Sequence, residues 1–282
     1  MTTEHEIQAR SVLHPTDFTR GSELAFAHAL RIAVAGGARL TLLHCTDDRP
    51  RWEDFPGVRS TLERWGMLPA GAAQSDVFEQ LGVKVEKAVA RGSNVVDAIV
   101  GFMERRPVDT LVLATHGREG LPRWLKPSIA EPLARRAELT TLFVPHASRA
   151  CVSLEDGSVQ MDRVLVPVDR TPRPQPAVLR AVRAIRAFGG GHSLISLLHV
   201  GEEGDMPSVD IPPSSGLRSE RLVRQGKPVE VILQTAEEIG ASLIIMVTAG
   251  RDGFLDILRG STTEQVLRRS PCPVLAIPVA TD

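Results

Sequence analysis

Asp17 and Asp169 stand in one local context: each ends a short apolar run, two residues after a proline, in "VLHPTD" and "VLVPVD". A carboxylate at a strand end can accept a ribose hydroxyl, or it can hold the first amides of the next helix. A second feature is "GRDGFLDILRGST", Gly250 to Thr262, which follows the apolar run "LIIMV" and leads into "STTE". The first amides of a helix have no internal partner, and the helix dipole adds positive character there. Glycine lets an anion approach the backbone, so Gly260 before Ser261 and Thr262 makes a phosphate cradle. "STTE" also fits a capping box, so Ser261 reads equally as a cap; capping does not require the glycine, which tilts Gly260 towards a ligand.

The first half carries the equivalent stretch "GREGLPRWLKPSI", with Pro127 where the second half has Gly260. Proline withdraws an amide donor and fixes its own dihedral, and Pro132 disturbs the helix that follows Ser128. The first-half site is therefore expected to be remodelled or lost, and Asp169 is favoured over Asp17 for a nucleotide. His14, His44 and His116 fall at strand ends near Asp17, a set that could hold a metal. No His-x3-His spacing supports it, and each reads better as a packed or hydrogen-bonded histidine. Arg118 and Arg251 read as solvated.

Repeated elements must position these residues. "SVLHPTDFTRGSELAFAHALRIAVAGGARLTLLHC" and "RVLVPVDRTPRPQPAVLRAVRAIRAFGGGHSLISLLHV" share one plan of strand, Pro-x-Asp, helix, glycine cluster, strand and histidine. Phe26, Leu30 and Ala33 recur at helical spacing, and Gly36-Gly37 and Gly189-Gly190-Gly191 stop the helices. A second strand–helix–strand unit follows in each half; Val95, Ile99 and Phe102 share one face of the first half's helix, and Ile232, Ala236 and Ile239 one face of the second half's. "TTLFVP" and "CPVLAIP" close the halves as last strands. Alternating strands and helices predict an α/β chain: two tandem doubly wound parallel-sheet domains, Rossmann-like, each a separate sheet of five strands. The first domain spans 1–148, a polar linker 149–161, and the second domain 162–282. The insert "RWEDFPGVRSTLERWGMLPAG" is predicted to be partly helical, and "GEEGDMPSVDIPPSSGLRS" to be a loop.

Composition narrows the function. The 282 residues, 43% hydrophobic and 24% charged, suffice for two cores. A net charge of -1, 4% aromatics and no tyrosine argue against a nucleic-acid surface. Cys45, Cys151 and Cys272 form neither a disulfide framework nor a zinc motif, which points to a reducing cytoplasm. "MTTEHEIQAR" holds no apolar segment, and no run approaches the ~18 residues of a membrane helix, so neither leader nor membrane span is expected.

These residues together resemble a tandem universal stress protein of the adenine-nucleotide-binding superfamily. The resemblance covers nearly the whole chain and rests on Pro-x-Asp, the Leu-Leu-His strand and the late glycine loop. The family's nucleotide motif is Gly-x2-Gly-x9-Gly-(Ser/Thr). The second half reads Val247-x2-Gly250-x9-Gly260-Ser261, one glycine short; the first reads Ala114-x2-Gly117-x9-Pro127-Ser128, two short. The resemblance implies ATP in the second half. Pro167, Val168 and Asp169 would border the adenosine, Val200 the base, and Gly250, Gly260, Ser261 and Thr262 the phosphates. It also implies that the last strands can pair within the chain as an intramolecular pseudo-dimer, and it leaves a further homodimer open.

The leading expectation is a cytoplasmic stress-response regulator or sensor that binds ATP and is not an enzyme. No Walker A motif or strong general base is present, so any hydrolysis would be slow and incidental. The alternative is a scaffold or small-ligand-binding protein whose degenerate sites take no nucleotide. A third reading, an adenylate-forming enzyme, has no residue pointing to a second substrate.

Overall fold

The computed structural model describes residues 9–49, 51–92, 94–115, 139–146, 149–171, 174–188, 192–249 and 262–279. The first half runs β1 (Ser11–Pro15), α1 (Arg20–Gly36), β2 (Arg39–Cys45), a 3-10 turn (Trp52–Asp54), α2 (Val58–Arg64), α3 (Asp76–Leu81), β3 (Lys84–Ala90), α4 (Val95–Arg105), β4 (Thr110–Thr115) and β5 (Thr140–Pro145). The second half runs β6 (Arg163–Pro167), α5 (Pro174–Ala187), β7 (Leu194–Val200), two 3-10 turns (Glu203–Asp205 and Pro213–Ser215), β8 (Arg218–Arg224), α6 (Pro228–Glu238), β9 (Leu243–Ala249), α7 (Thr262–Arg269) and β10 (Val274–Val279).

The strands lie in the order β3-β2-β1-β4-β5-β10-β9-β6-β7-β8. Read inwards from either edge, this is one doubly wound order used twice. Pairing is parallel within each half and antiparallel where the halves meet, with Phe143 opposite Val274 and Thr141 opposite Ala276. The expectation of two separate sheets is thereby corrected: they fuse into one continuous sheet of ten strands. The physical reason is that β5 and β10 are apolar edges, and each satisfies the other's exposed backbone.

Strand alternation sends neighbouring residues to opposite faces. Val12, Leu42, Val164, Ile245 and Leu275 join a core under α1, α5 and the α2–α3 insert. Leu13, Leu43, Leu165, Ile244 and Val274 join a second core under α4, α6 and α7. Gly37 ends α1 in the left-handed region (φ 55°, ψ 38°), and Ala38 N–H returns to Ala33 O at 2.9 Å, as expected for a glycine stop. The first insert is partly helical, as its sequence predicts, and 201–217 contains no α-helix.

The stretch between the halves docks on the first. Val152 bridges Val159, Cys151, Val152 and Met161 are buried, and Trp65 Nε1–H donates to Leu154 O at 3.2 Å. Gly157 turns this hairpin at φ 67°, and a Cβ there would meet Trp65 Cδ2 at 2.4 Å. Gly157→Ala adds left-handed strain of ~1–2 kcal/mol to that clash. Urea unfolding is expected to register a loss of about 2–3 kcal/mol; an unchanged midpoint would show that the hairpin is not held against Trp65.

Candidate functional site

The carboxyl ends of β6 and β7 carry the turn that the sequence singles out. Val168 N–H donates to Leu198 O at 2.8 Å, continuing the β6–β7 ladder past Pro167. His199, at the end of β7, places Nδ1 3.3 Å from Val168 O. The first half repeats both contacts: Thr16 N–H to Leu43 O at 2.8 Å, and His44 Nδ1 2.8 Å from Thr16 O. The Leu-Leu-His signature thus has a structural role. The imidazole clamps the turn bearing the aspartate, which gives the hydrogen-bonded reading of His44 its partner, the carbonyl of Thr16. Gly201 sits over this clamp, since a Cβ there would come within 2.6 Å of His199 Nε2.

Downstream of this shared clamp the halves diverge. Asp17 Oδ1 accepts both Thr19 N–H (3.1 Å) and Thr19 Oγ1–H (2.7 Å). Burial pushes its pKa upward, but these hydrogen bonds, with help from Ser22, hold it below the usual carboxylate range. Phe18 next to it has φ 62°, the one positive φ at a non-glycine among the described residues. Its ring stacks on His44 at 4.1 Å and meets Phe55 edge-on at 5.1 Å, contacts that hold the strained backbone. The first-half aspartate is tied into its own turn.

In the second half, Asp169 is exposed and its Oδ1 accepts only the adjacent Arg170 N–H, at 2.7 Å, among the described residues. Arg170 occupies the place of Phe18 but reaches outward to Asp205 at 2.7 Å. Val168 is buried, and Pro167 and Val200 are half-buried beside it. The loop after Val200 folds over this end of the sheet rather than swinging away. Gln175 and Asp210 exchange two bonds, Nε2–H to O (2.8 Å) and N–H to Oε1 (2.7 Å), while Met206, Val209 and Ile211 pack on the core.

Thr262, half-buried, opens α7. That helix is fixed by buried Val266 and Leu267 and by a two-point Arg269–Glu230 pair at 2.6 and 2.8 Å. Pro167, Val168, Asp169 and Val200 are therefore brought together at one sheet end. Gly250, Gly260 and Ser261 lie outside the described residues, as do Gly117, Arg118, Pro127, Ser128, Pro132, His116 and Arg251.

His14, a sequence candidate, and His28, which the sequence did not single out, each face a backbone carbonyl. His14 Nδ1 faces Val112 O at 3.0 Å, and His28 Nδ1 faces Leu24 O at 2.7 Å. Burial lowers each pKa to about 4, against a small upward pull from those carbonyls. Burial pushes the thiols up, to about 11 for Cys45 and about 12 for Cys151 and Cys272, so none is a thiolate at neutral pH. Among the described residues no group of three or more His, Cys, Asp or Glu is placed to hold a metal ion, and no helix is long and apolar enough to cross a membrane.

The universal stress protein family model matches residues 8–145 and 213–278. The universal stress protein E homolog of Haemophilus influenzae is 46% identical over 55 residues, 20% of this chain and 18% of that protein. The Thermus aquaticus universal stress protein in the QAH/OAS sulfhydrylase 3'region is 40% identical over 60 residues, 21% and 44% of the two chains. The chain thus spans less than half the length of these curated relatives. A crystal structure of a universal stress protein from Archaeoglobus fulgidus shares the fold, with a TM-score of 0.61 at 22% identity, over 96% of this chain and 98% of that one. With a family model matched in both halves and a doubly wound order used twice, the chain belongs to the universal stress protein family.

Proposed function

We propose that the chain binds one ATP, in its second half, and acts as a cytoplasmic stress-response regulator or sensor rather than an enzyme. The observation that carries this reading is the contrast between the two aspartate turns. Asp17 Oδ1 takes two hydrogen bonds from Thr19 in a turn whose Phe18 ring stacks on His44, whereas Asp169 Oδ1 takes only Arg170 N–H among the described residues, in a turn whose Arg170 reaches outward to Asp205. By the family resemblance, Val168 borders the adenosine and Val200 the base. Thr262 sits at the amino end of α7, where unpaired amides favour phosphate. Gly250, Gly260 and Ser261 complete the set on sequence grounds. Bound ATP would supply a polyanion that these amides neutralise and an adenosine that the loop 201–217 covers. Binding would then bias the position of that loop, and with it the surface offered to a partner.

Calorimetric titration of the full chain with ATP tests this, with one site per chain expected. Two equal sites, or none, would overturn it.

One observation favours a second reading, a small-ligand-binding protein. A cleft of about 500 Å³ lies in the first half, bounded by the Thr16–Thr19 turn, Phe26, Arg64, Trp65 and Glu155. Mass spectrometry of gently purified protein separates the two: copurified adenine nucleotide favours the first, a different small molecule the second.

A further inference from the structure

Helices α1 and α5 pack on the same face of the sheet, on either side of the β5–β10 seam. Near their carboxyl ends lies a groove of about 380 Å³. Ile32 and Ala35 of α1 form one wall, Ala184 and the nearby Phe188 the other, and Leu275 of β10 lies between them. The charged groups lining it are all cationic. Arg183 and Arg186 are three residues apart, so they share a face of α5, and both line the groove. Thr110 and Thr140 line it too. Asp109, next to Thr110 in the chain, spends its carboxylate on Arg10 N–H (2.8 Å), Ser11 N–H (3.0 Å) and the Thr110 hydroxyl (2.9 Å).

We propose that this groove binds a carboxylate-headed amphiphile of the fatty-acid class, its chain along the seam and its head group at Arg186. The volume lies within the usual range for ligand sites, and an apolar floor with a few convergent polar groups is their usual make-up. At interior packing density it holds a chain on the order of 12 carbons. The cationic rim selects an anion, and the apolar floor excludes a free inorganic one. Such a ligand would touch both halves at once, so it would tie seam geometry to ligand supply. The proposal is independent of ATP binding in the second half.

Calorimetric titration of the full chain with dodecanoate tests it, with one site expected. Dodecanol, equally apolar but neutral, should bind at least tenfold more weakly. Arg186→Glu should weaken dodecanoate at least tenfold. Ala35→Trp, at an exposed helix position, should fill the groove and abolish binding, with unchanged circular dichroism showing that the fold persists. No binding of dodecanoate, equal binding of dodecanol, or full affinity in Ala35→Trp would overturn the proposal. Two further arms identify the source. Sedimentation with phosphatidylglycerol vesicles that dodecanoate does not compete away would assign the surface to membrane lipid and overturn it. Binding that appears only after removal of residues 1–8 would assign the groove to the chain's own first residues and also overturn it.

Discussion

At pH 4.5 the protein is expected to be less stable than at pH 7.5 by about 5 kcal/mol, a large share of a typical folding free energy. His14 and His28 are fully buried, and the Nε2 of each has no hydrogen-bond partner among the described residues. Each pKa falls from 6.5 to about 4, chiefly through burial. Between those values the unfolded chain binds a proton at each site that the folded chain refuses. Stability is therefore complete above about pH 6.5 and declines as pH falls towards 4, by on the order of 2–3 kcal/mol per histidine. Urea unfolding at the two pH values measures the difference. His14→Asn and His28→Asn should each remove about half of the pH dependence, even where they lower stability at pH 7.5. A stability that stays level from pH 7.5 to 4.5 would mean that the two rings are already protonated, or exposed, in the folded chain.

The second large effect concerns Gly260. Gly260→Pro, which copies Pro127 of the first half, is expected to weaken ATP binding at least tenfold while leaving the second half folded. The backbone must come within hydrogen-bond distance of a phosphate, and proline offers no amide and adds a ring. Losing one or two charge-assisted bonds of roughly 1.5–3 kcal/mol each gives that factor or more. Ser261→Ala separates capping from binding. A cap alone would cost about 1 kcal/mol of stability and leave affinity unchanged. A phosphate contact would lower affinity beyond what the melting change explains. Calorimetry beside thermal melting reads both. Wild-type ATP affinity in a folded Gly260→Pro variant would reduce "GRDGFLDILRGST" to a turn and a helix cap.

Within the second half, Asp169 depends on what surrounds it as much as on its own charge. Its neighbour Arg170 points away to Asp205, while Phe18 at the same place in the first half lies on His44. One residue at this position changes what the aspartate turn packs against. Besides His44, the aromatic ring gains an edge-on partner in Phe55, from the partly helical insert of the first half.

The sequence by itself determined the element order, the internal repeat, the glycine stop at Gly37 and the helical character of the first insert. These follow from period and local backbone preference, which are short-range properties. It also marked the Pro-x-Asp turns and the contrast between Gly260 and Pro127. The pairing of the last strands came from the family resemblance and not from any local pattern; the tertiary structure decided that this pairing of β5 with β10 joins two sheets into one, because an edge's partner is set by long-range packing. The same holds for the histidine clamps. His44 and His199 look alike whether they ligate, pack or bond a carbonyl until the neighbouring strand places Thr16 O and Val168 O beside them. The loop 201–217 reads as polar and free because proline, glycine and serine dominate it. Met206, Val209 and Ile211 are too sparse to show a period, yet their burial, with the Gln175–Asp210 bonds, holds the loop over the site.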